Sequence, residues 1–212
     1  MLSCGQMFQP KTEEWSRPYK GSNPLSSAMN KVYILCPHFS EQIYTRGILS
    51  IMQQMQFADK LIMPESASKS LAEIRNELVS EGLKTDATHF LFLDSDELFP
   101  MDMTPRLLAH DKDIIGAWTV IRQDIKPNVY KMVGQYKHEP YEGKGLEKID
   151  RLGFGSVLIK RSVFEKLKYP WFSFDEHHHT EDLYFCDIAR ENGYDIWVDF
   201  DLRCKHISLA FL

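Results

Sequence analysis

The apolar segment Phe90-Leu-Phe-Leu93, followed directly by Asp94-Ser-Asp96, constrains the fold of this chain more than any other feature. Neighbouring side chains of a β-strand point to opposite faces, so four consecutive large apolar residues predict a strand that is buried on both sides. Such strands are typical of sheets covered by helices on both faces. Ligands of open α/β sheets bind beyond the carboxyl ends of the strands. The sequence therefore predicts an α/β fold with two carboxylates at its ligand-binding edge.

Alternating strand and helix signals surround this segment and indicate a mixed, mainly parallel central sheet flanked by helices. Apolar runs ended by Pro37 and Pro64 predict strands, and Ser70 with Glu73 forms a capping box that starts a helix. Up to residue 121, the predicted strands cover 32–36, 61–63, 90–93 and 114–121, and the predicted helices cover 41–57, 70–82 and a short segment capped by Thr104 and begun by Pro105. Later strands are predicted over 129–136, 156–159, 196–198 and 202–207, a second capping box at Ser162–Glu165 predicts a short helix, Thr180 is predicted to cap a helix that ends at Gly193, and 137–148 is predicted to be a solvated loop.

Composition limits the classes of function. The chain has 212 residues, a formal net charge of -5 and a pI of about 5.9, so it has no overall basic field for nucleic acid. We find no apolar run of about 20 residues and no signal-peptide pattern, which predicts a cytoplasmic protein without a transmembrane segment. Four scattered cysteines predict reduced, buried thiols. Residues 1–29 have no hydrophobic periodicity and are predicted to be an arm or disordered leader, with one domain over 30–212.

Asp94 and Asp96 are candidate ligands for Mn²⁺ or Mg²⁺, because hard carboxylate oxygens suit these ions and the ions bind diphosphates. The alternative is that Asp94, Ser95 and Asp96 simply form the turn that ends the strand.

Three further features favour a catalytic site. Glu181 and Asp182 lie at the start of the helix capped by Thr180, and a carboxylate there could accept a proton from a hydroxyl group, although acids are favoured in any first helical turn. His206 is a possible Mn²⁺ ligand or a structural group in a strand. Gly153 and Gly155 precede a strand and would let the backbone approach a sugar.

The aromatic and histidine-rich segment before Thr180 has two interpretations. Trp171, Phe172 and Phe174 could stack on a sugar or anchor a loop. Three adjacent imidazoles, His177–His179, cannot converge on one small ion, which favours a flexible loop over the site rather than a metal centre.

The order of these motifs resembles glycosyltransferase family 2 and related enzymes with the type A fold. The resemblance covers residues 31–207 and rests on Ile74-Arg-Asn76, Thr88–Asp96, Gly153–Lys160, Thr180–Cys186 and Cys204-Lys-His206. The chain is also similar to modular glycosyltransferase domains of large viruses. It lacks the Gln/Arg-x-x-Arg-Trp motif of processive synthases, so we expect a non-processive enzyme.

The resemblance implies a role for each matching residue. Asp96 and His206 would bind the metal, Asp94 would contact the metal or the ribose, and Asp182 would be the catalytic base. The nucleotide and donor side would comprise Asp94, Ser95, Arg75, Asn76, Pro37, Gly153 and Gly155.

The predicted function is metal-dependent transfer of a sugar from a nucleotide-diphosphate donor, a UDP- or GDP-sugar, to a hydroxyl group of a carbohydrate or other acceptor. Inversion at the anomeric carbon is expected. Two alternatives stay open: a nucleotidyltransferase or phosphohydrolase with a carboxylate-bound metal, which lacks support from any Gly-rich phosphate loop, and a non-catalytic carbohydrate-binding domain.

Overall fold

The structure is a computed structural model that describes residues 30–38, 44–64, 68–121, 126–134, 137–174 and 180–207. The helices are α1 (Thr45–Gln54), α2 (Leu71–Leu83), α3 (Met103–Ala109), α4 (Arg161–Lys166) and α5 (Glu181–Glu191), and a 3-10 turn at Met55–Phe57 follows α1. The strands are β1 (Val32–Leu35), β2 (Lys60–Ile62), β3 (His89–Leu93), β4 (Glu97–Leu98), β5 (Ile114–Trp118), β6 (Val129–Met132), β7 (His138–Pro140), β8 (Leu146–Ile149), β9 (Arg151–Leu152), β10 (Ser156–Lys160), β11 (Ile196–Arg203) and β12 (Lys205–His206). The predicted arm over 1–29 and the segment His177–His179 lie outside the described residues.

A seven-stranded sheet in the order β2-β1-β3-β10-β5-β11-β8 forms the centre of the fold. Strands β1, β2, β3, β5 and β11 run in one direction, whereas β8 and β10 run in the other. The predicted mixed, mainly parallel sheet is confirmed. Two smaller sheets, β12-β4 and β7-β6-β9, lie outside it.

Strand β3 divides the core into two layers, as its unbroken apolar sequence predicts. Phe90 and Phe92 point into the core layer that α2, α4 and α5 cover, while Leu91 and Leu93 point into the layer that α1 and α3 cover. All of its residues from Phe90 to Leu93 are fully buried. Helices therefore flank the sheet on both faces, and β3 lies near its middle.

The capping box that begins α2 is confirmed. The Ser70 hydroxyl accepts a hydrogen bond from the backbone N–H of Glu73, and the Glu73 carboxylate accepts one from the backbone N–H of Ser70. This local pattern needs only neighbouring residues, which is why the sequence reveals it.

Two other predicted caps are wrong. Helix α3 starts at Met103, before Thr104, and the buried Thr104 hydroxyl donates instead to the side chain of Gln54 at 2.8 Å. Ser162 lies inside α4, which starts at Arg161. In α3 a tertiary hydrogen bond replaces the local cap. Its acceptor, Gln54, is 50 positions away in sequence, so a local sequence pattern does not reveal it.

The segment 137–148 is not the solvated loop that its glycines and lysines predict. It contains β7 and β8, and β8 joins the central sheet along β11. The strand predicted to continue to residue 121 ends at Trp118, the strand predicted over 129–136 ends at Met132, and the two predicted C-terminal strands are largely one strand, β11. Edge strands such as β8 bury only part of their surface, so their apolar pattern is weak.

Other expectations concern single features. Cys36, Cys186 and Cys204 are buried free thiols, as predicted, and Cys4 lies outside the described residues. None of the described helices has both the length and the apolar character that crossing a bilayer requires.

The topology gathers the candidate site at one edge of the sheet. The parallel strands β3, β5 and β11 end there, and the antiparallel strand β10 starts there. The segments after β3, before β10 and after β11 carry Asp94–Asp96, Gly153–Gly155 and His206, respectively.

Candidate active site

The segment Asp94–Glu97 is held rigidly between α1 and β10. The backbone N–H of Asp94 donates to the carbonyl of Gly155 at 3.0 Å. Gly47 of α1 packs so closely that a Cβ atom there would lie 1.8 Å from the carbonyl oxygen of Ser95. A side chain on residue 47 would therefore displace the turn, and the turn has a fixed position relative to the sheet.

Arg75 of α2 is the buried cation of the site. Its side chain is 2% exposed, and its guanidinium lies 3.4 Å from Asp94 Oδ1 and 3.0 Å from Glu181 Oε1. It also donates to the carbonyl of Phe154 at 3.3 Å. Arg75 thus joins the turn after β3 to the start of α5, and its contacts are made within the protein.

The first two residues of α5 have different environments. Glu181 is buried and paired with Arg75, whereas Asp182 is half-buried. Asp182 Oδ1 accepts hydrogen bonds from the backbone N–H of Leu183 at 2.8 Å and from the Thr180 hydroxyl. Thr180 is the N-cap residue, as predicted, but its side chain holds Asp182 rather than the helix backbone. Of this carboxylate pair, Asp182 is the one that an incoming molecule can reach.

His206 reaches the turn through strand pairing. Strand β12 pairs with β4 so that His206 lies opposite Glu97, and the backbone N–H of Ile207 donates to the carbonyl of Asp96 at 2.7 Å. The imidazole Nδ1 lies 3.7 Å from Asp96 Oδ2, and Nε2 lies 3.1 Å from Glu97 Oε1. The structure therefore brings together Asp96 and His206, which are 110 positions apart in the sequence.

Glu97 is a site residue that the sequence analysis missed. It is fully buried, and its Oε1 accepts a hydrogen bond from the Thr119 hydroxyl at 3.1 Å. It directly follows Asp94-Ser-Asp96, but an acid that starts a two-residue strand looks like an exposed residue in sequence. The available signal was its position next to two other carboxylates.

The two glycines before β10 accommodate protein side chains. A Cβ atom on Gly155 would lie 2.1 Å from Glu97 Oε1, and one on Gly153 would lie 1.8 Å from Asn128 Nδ2. Close approach of neighbouring side chains requires glycine at both positions. The groups that approach are Glu97 and Asn128, and a contact between these glycines and a sugar stays a prediction.

Asn76 and Pro37 are the remaining residues predicted to lie on the donor side. The Asn76 side chain donates to the carbonyl of Phe172 at 2.7 Å and accepts from the backbone N–H of Trp171 at 3.0 Å. Trp171 and Phe172 are buried in the core, so they anchor this segment, while Phe174 is 51% exposed. Asn76 holds that anchor in place. Pro37 is buried two residues after the end of β1.

The site carries an excess of negative charge. Burial raises the pKa of Asp94 to about 7; Arg75 opposes this shift, and the charges of Asp96, Glu181 and Asp182 add to it. Burial and then the charge of Asp94 raise the pKa of Glu97 well above its usual range. Burial opposes the charge on Arg75, but the surrounding carboxylates outweigh it and raise the Arg75 pKa. The carboxylates thus interact with one another, and Arg75 compensates only part of their charge.

The chemistry of this residue set fits a hard divalent cation. Asp94 and Asp96 offer carboxylate oxygens, and His206 offers an imidazole nitrogen. Burial is the main cause of the raised pKa of Asp94, and a bound cation would stabilise its ionised form together with the neighbouring carboxylates. Within the described ranges, no three His, Cys, Asp or Glu side chains already converge on one point as a cation site. Binding would therefore require at least one of these side chains to turn.

Comparison with known proteins supports the fold assignment. No protein-family model matches the chain, and no curated protein matches it in sequence. Among solved structures, A197 from STIV matches with a TM-score of 0.64 at 16% identity, covering 83% of this chain and 85% of that one.

Two larger proteins also match. GalNAc-T7, solved with UDP, GalNAc and Mn²⁺, has a TM-score of 0.60 at 10% identity, and S. aureus TarS has a TM-score of 0.52 at 13% identity. The matches cover 85% and 84% of this chain, but only 44% and 36% of those chains. The protein therefore has the type A glycosyltransferase fold, as the motif order predicts.

Proposed function

We propose that this protein is a metal-dependent glycosyltransferase that moves a sugar from a nucleotide-diphosphate donor to a hydroxyl acceptor. The observation that carries the proposal is the arrangement at the sheet edge. Asp96 lies 3.7 Å from His206, and Arg75 joins Asp94 to the start of the helix that presents Asp182. The fold supports the same conclusion, since one protein that shares it was solved with UDP, GalNAc and Mn²⁺.

Asp94, Asp96 and His206 are the proposed ligands of Mn²⁺ or Mg²⁺. A bound cation of this kind stabilises the negative charge that develops on a departing diphosphate. Ser95 lies between the two aspartates, and Pro37 follows β1, the parallel neighbour of β3; both are proposed to be on the donor side. Arg75 acts on the donor indirectly, because it holds Asp94 and the start of α5 in place.

Asp182 is the proposed general base. It accepts the proton of the acceptor hydroxyl while that oxygen forms a bond to the anomeric carbon and the bond from this carbon to the diphosphate oxygen breaks. The nucleoside diphosphate leaves, and the configuration of the anomeric carbon inverts. Hydrogen bonds from Thr180 and Leu183 to Asp182 Oδ1 orient the carboxylate and leave Oδ2 for the acceptor.

The donor is proposed to be a UDP- or GDP-sugar, and the acceptor a carbohydrate or another hydroxyl compound. A viral origin is also proposed, and the similarity to A197 from STIV supports it.

Donor turnover tests the proposal. The protein is incubated with UDP-sugars and GDP-sugars with and without Mn²⁺, and the release of free nucleoside diphosphate is measured. We expect slow release that requires Mn²⁺. Release of pyrophosphate in a parallel incubation with UTP or GTP and a sugar 1-phosphate would instead indicate a nucleotidyltransferase. Binding of nucleotide sugar without turnover would indicate a carbohydrate-binding domain.

Three variants assign the roles. Asp182→Asn should lower the rate by about 10²- to 10⁴-fold while donor binding persists, because only the base is lost. Asp96→Ala should abolish Mn²⁺-dependent donor binding in calorimetry. Asp195→Asn, a control at a half-exposed pair with Lys148, should change neither quantity. Full activity of Asp182→Asn would remove Asp182 as the base.

A further inference from the structure

The burial of the Glu97 carboxyl group is energetically unfavourable, because its hydrogen bonds are incomplete. Its side chain is 1% exposed, and its Oε2 atom has no hydrogen-bond partner among the residues that the structure describes. Burying a carboxyl group without full hydrogen bonding is unfavourable. Gly155 provides the space for it, because a Cβ atom there would overlap Glu97 Oε1.

The backbone fixes the partner of Glu97. In the antiparallel pair β4-β12, Glu97 and His206 are directly opposite, so their side chains lie on the same face of the ribbon. His206 Nε2 lies 3.1 Å from Glu97 Oε1, which is hydrogen-bonding distance. The other nitrogen, Nδ1, lies on the side of Asp96.

We infer that Glu97 is a positioning residue that accepts the Nε2–H of His206 and thereby directs the Nδ1 lone pair toward Asp96 and the proposed cation. A neutral imidazole has one N–H and one lone pair, so a hydrogen bond at one nitrogen selects the nitrogen that is free to bind a metal. Carboxylates commonly hold metal-binding histidines in this way. The inference rests on the proposed function, since it assigns a role to Glu97 in the same site.

The reverse arrangement is chemically distinct. If Glu97 carried the proton and donated it to Nε2, the ring hydrogen would be on Nδ1, and His206 could not bind a cation from that side. The two arrangements have different ¹⁵N chemical shifts for the imidazole nitrogens, so the tautomer of His206 can be measured without any enzymatic activity.

The first experiment is ¹⁵N NMR of the full chain, with the His206 signals assigned by their loss in His206→Gln. We expect the Nε2–H tautomer in the protein without metal, and a shift of the Nδ1 signal when diamagnetic Mg²⁺ is added. The Nδ1–H tautomer would overturn the inference. This measurement needs only the parent protein and one assignment variant. It therefore tests the inference even if substitution of Glu97 prevents folding.

The second experiment measures Mn²⁺ affinity by calorimetry in Glu97→Gln. We expect the Mn²⁺ affinity to fall by about 10- to 100-fold, the usual effect of removing a carboxylate that holds a metal-binding histidine. Asp199→Asn is the matched control, because Asp199 is also buried and lies 3.0 Å from a histidine nitrogen, Nε2 of His110, outside the site. It should leave Mn²⁺ affinity unchanged. Equal affinity of Glu97→Gln and the parent would overturn the inference.

The two proposals fail in different ways. If the parent protein binds no Mn²⁺ and hydrolyses no nucleotide sugar, the proposed function fails. If the parent binds Mn²⁺ but His206 has the Nδ1–H tautomer, or Glu97→Gln binds as tightly as the parent, only the role of Glu97 fails.

Discussion

The two ends of strand β3 treat charge in opposite ways. At its start, His89 contacts the Thr88 hydroxyl through Nδ1 at 2.8 Å, and Arg161 donates to the backbone carbonyls of Leu83 and Thr85 at 2.8 and 2.7 Å. At its end, the acids Asp94, Asp96, Glu97, Glu181 and Asp182 gather around one buried guanidinium, that of Arg75.

The difference distinguishes the start of β3, where the contacts stabilise the fold, from its end, where buried charge is unfavourable. At the first end, cations meet neutral carbonyl groups or exposed acids, and burial lowers the pKa of His89 to about 4, so the ring is neutral and compatible with its site at neutral pH. At the second end, burial raises the pKa of Asp94 to about 7, so the ionised form of Asp94 is unfavourable below that pH. Shifted carboxylates of this kind concentrate at functional sites.

Removing Arg75 should give the largest effect. We expect Arg75→Met to lower the free energy of unfolding by about 3 to 5 kcal/mol, because it leaves buried carboxylates without their cation. Arg161→Met, at the other end of β3, removes hydrogen bonds to the carbonyl groups of Leu83 and Thr85, which are only partly buried, and should cost only about 1 to 2 kcal/mol. Urea denaturation followed by circular dichroism measures both values.

A second substitution sharpens this comparison. In Arg75→Met/Glu181→Gln, one of the uncompensated carboxylates is also removed, so part of the lost stability should return. Equal losses in Arg75→Met and Arg161→Met, with no recovery in the double variant, would show that the two ends of β3 are alike.

The residues that end β3 could be predicted from the sequence better than the residues that pack around them. Asp94 and Asp96 follow a strand whose four consecutive apolar residues predict burial on both faces, so the position of the two aspartates could be predicted. Glu97 could not, because its burial depends on pairing with His206 and on the space left by Gly155, both distant in sequence. The failed cap at Thr104 has the same origin, since Gln54 of another helix supplies the hydrogen-bond partner.

Filling the space beside Glu97 should have a smaller effect. Gly155→Ala places a Cβ atom 2.1 Å from Glu97 Oε1, so the buried carboxylate must move, and overpacking of this kind costs about 1 to 3 kcal/mol. Gly134→Ala is the control: its nearest neighbour is Lys137 Cβ at 3.7 Å, and its stability should change little or rise by about 0.5 kcal/mol. Thermal unfolding at fixed pH compares them. A neutral Gly155→Ala would mean that the acidic end of β3 is more tolerant than its packing indicates.

The pH dependence of stability separates the two ends by sign. Asp94 has a folded pKa of about 7 against an ordinary value of 3.8, so between these values the folded state holds a proton that the unfolded chain has lost, and stability falls as pH rises. His89 has a folded pKa of about 4 against 6.5, so between these values the unfolded chain binds a proton that the folded state lacks, and stability falls as pH decreases. The limiting slope for one proton is about 1.4 kcal/mol per pH unit in either direction.

Single variants resolve these opposing slopes. Between pH 4.5 and 6.5 (roughly the window in which both groups differ from the unfolded chain), Asp94→Asn should make stability rise more steeply with pH, and His89→Gln should make it fall more steeply. The measurement is the free energy of unfolding from urea titrations at several pH values. Mn²⁺ should stabilise the parent more at pH 8 than at pH 6, because it competes with the proton on Asp94, and it should stabilise Asp94→Asn less at both. Burial of an acid and burial of a base must change the pH dependence of stability with opposite signs. If Asp94→Asn and His89→Gln gave the same slope, the two ends of β3 would not differ in the way that these pKa shifts require.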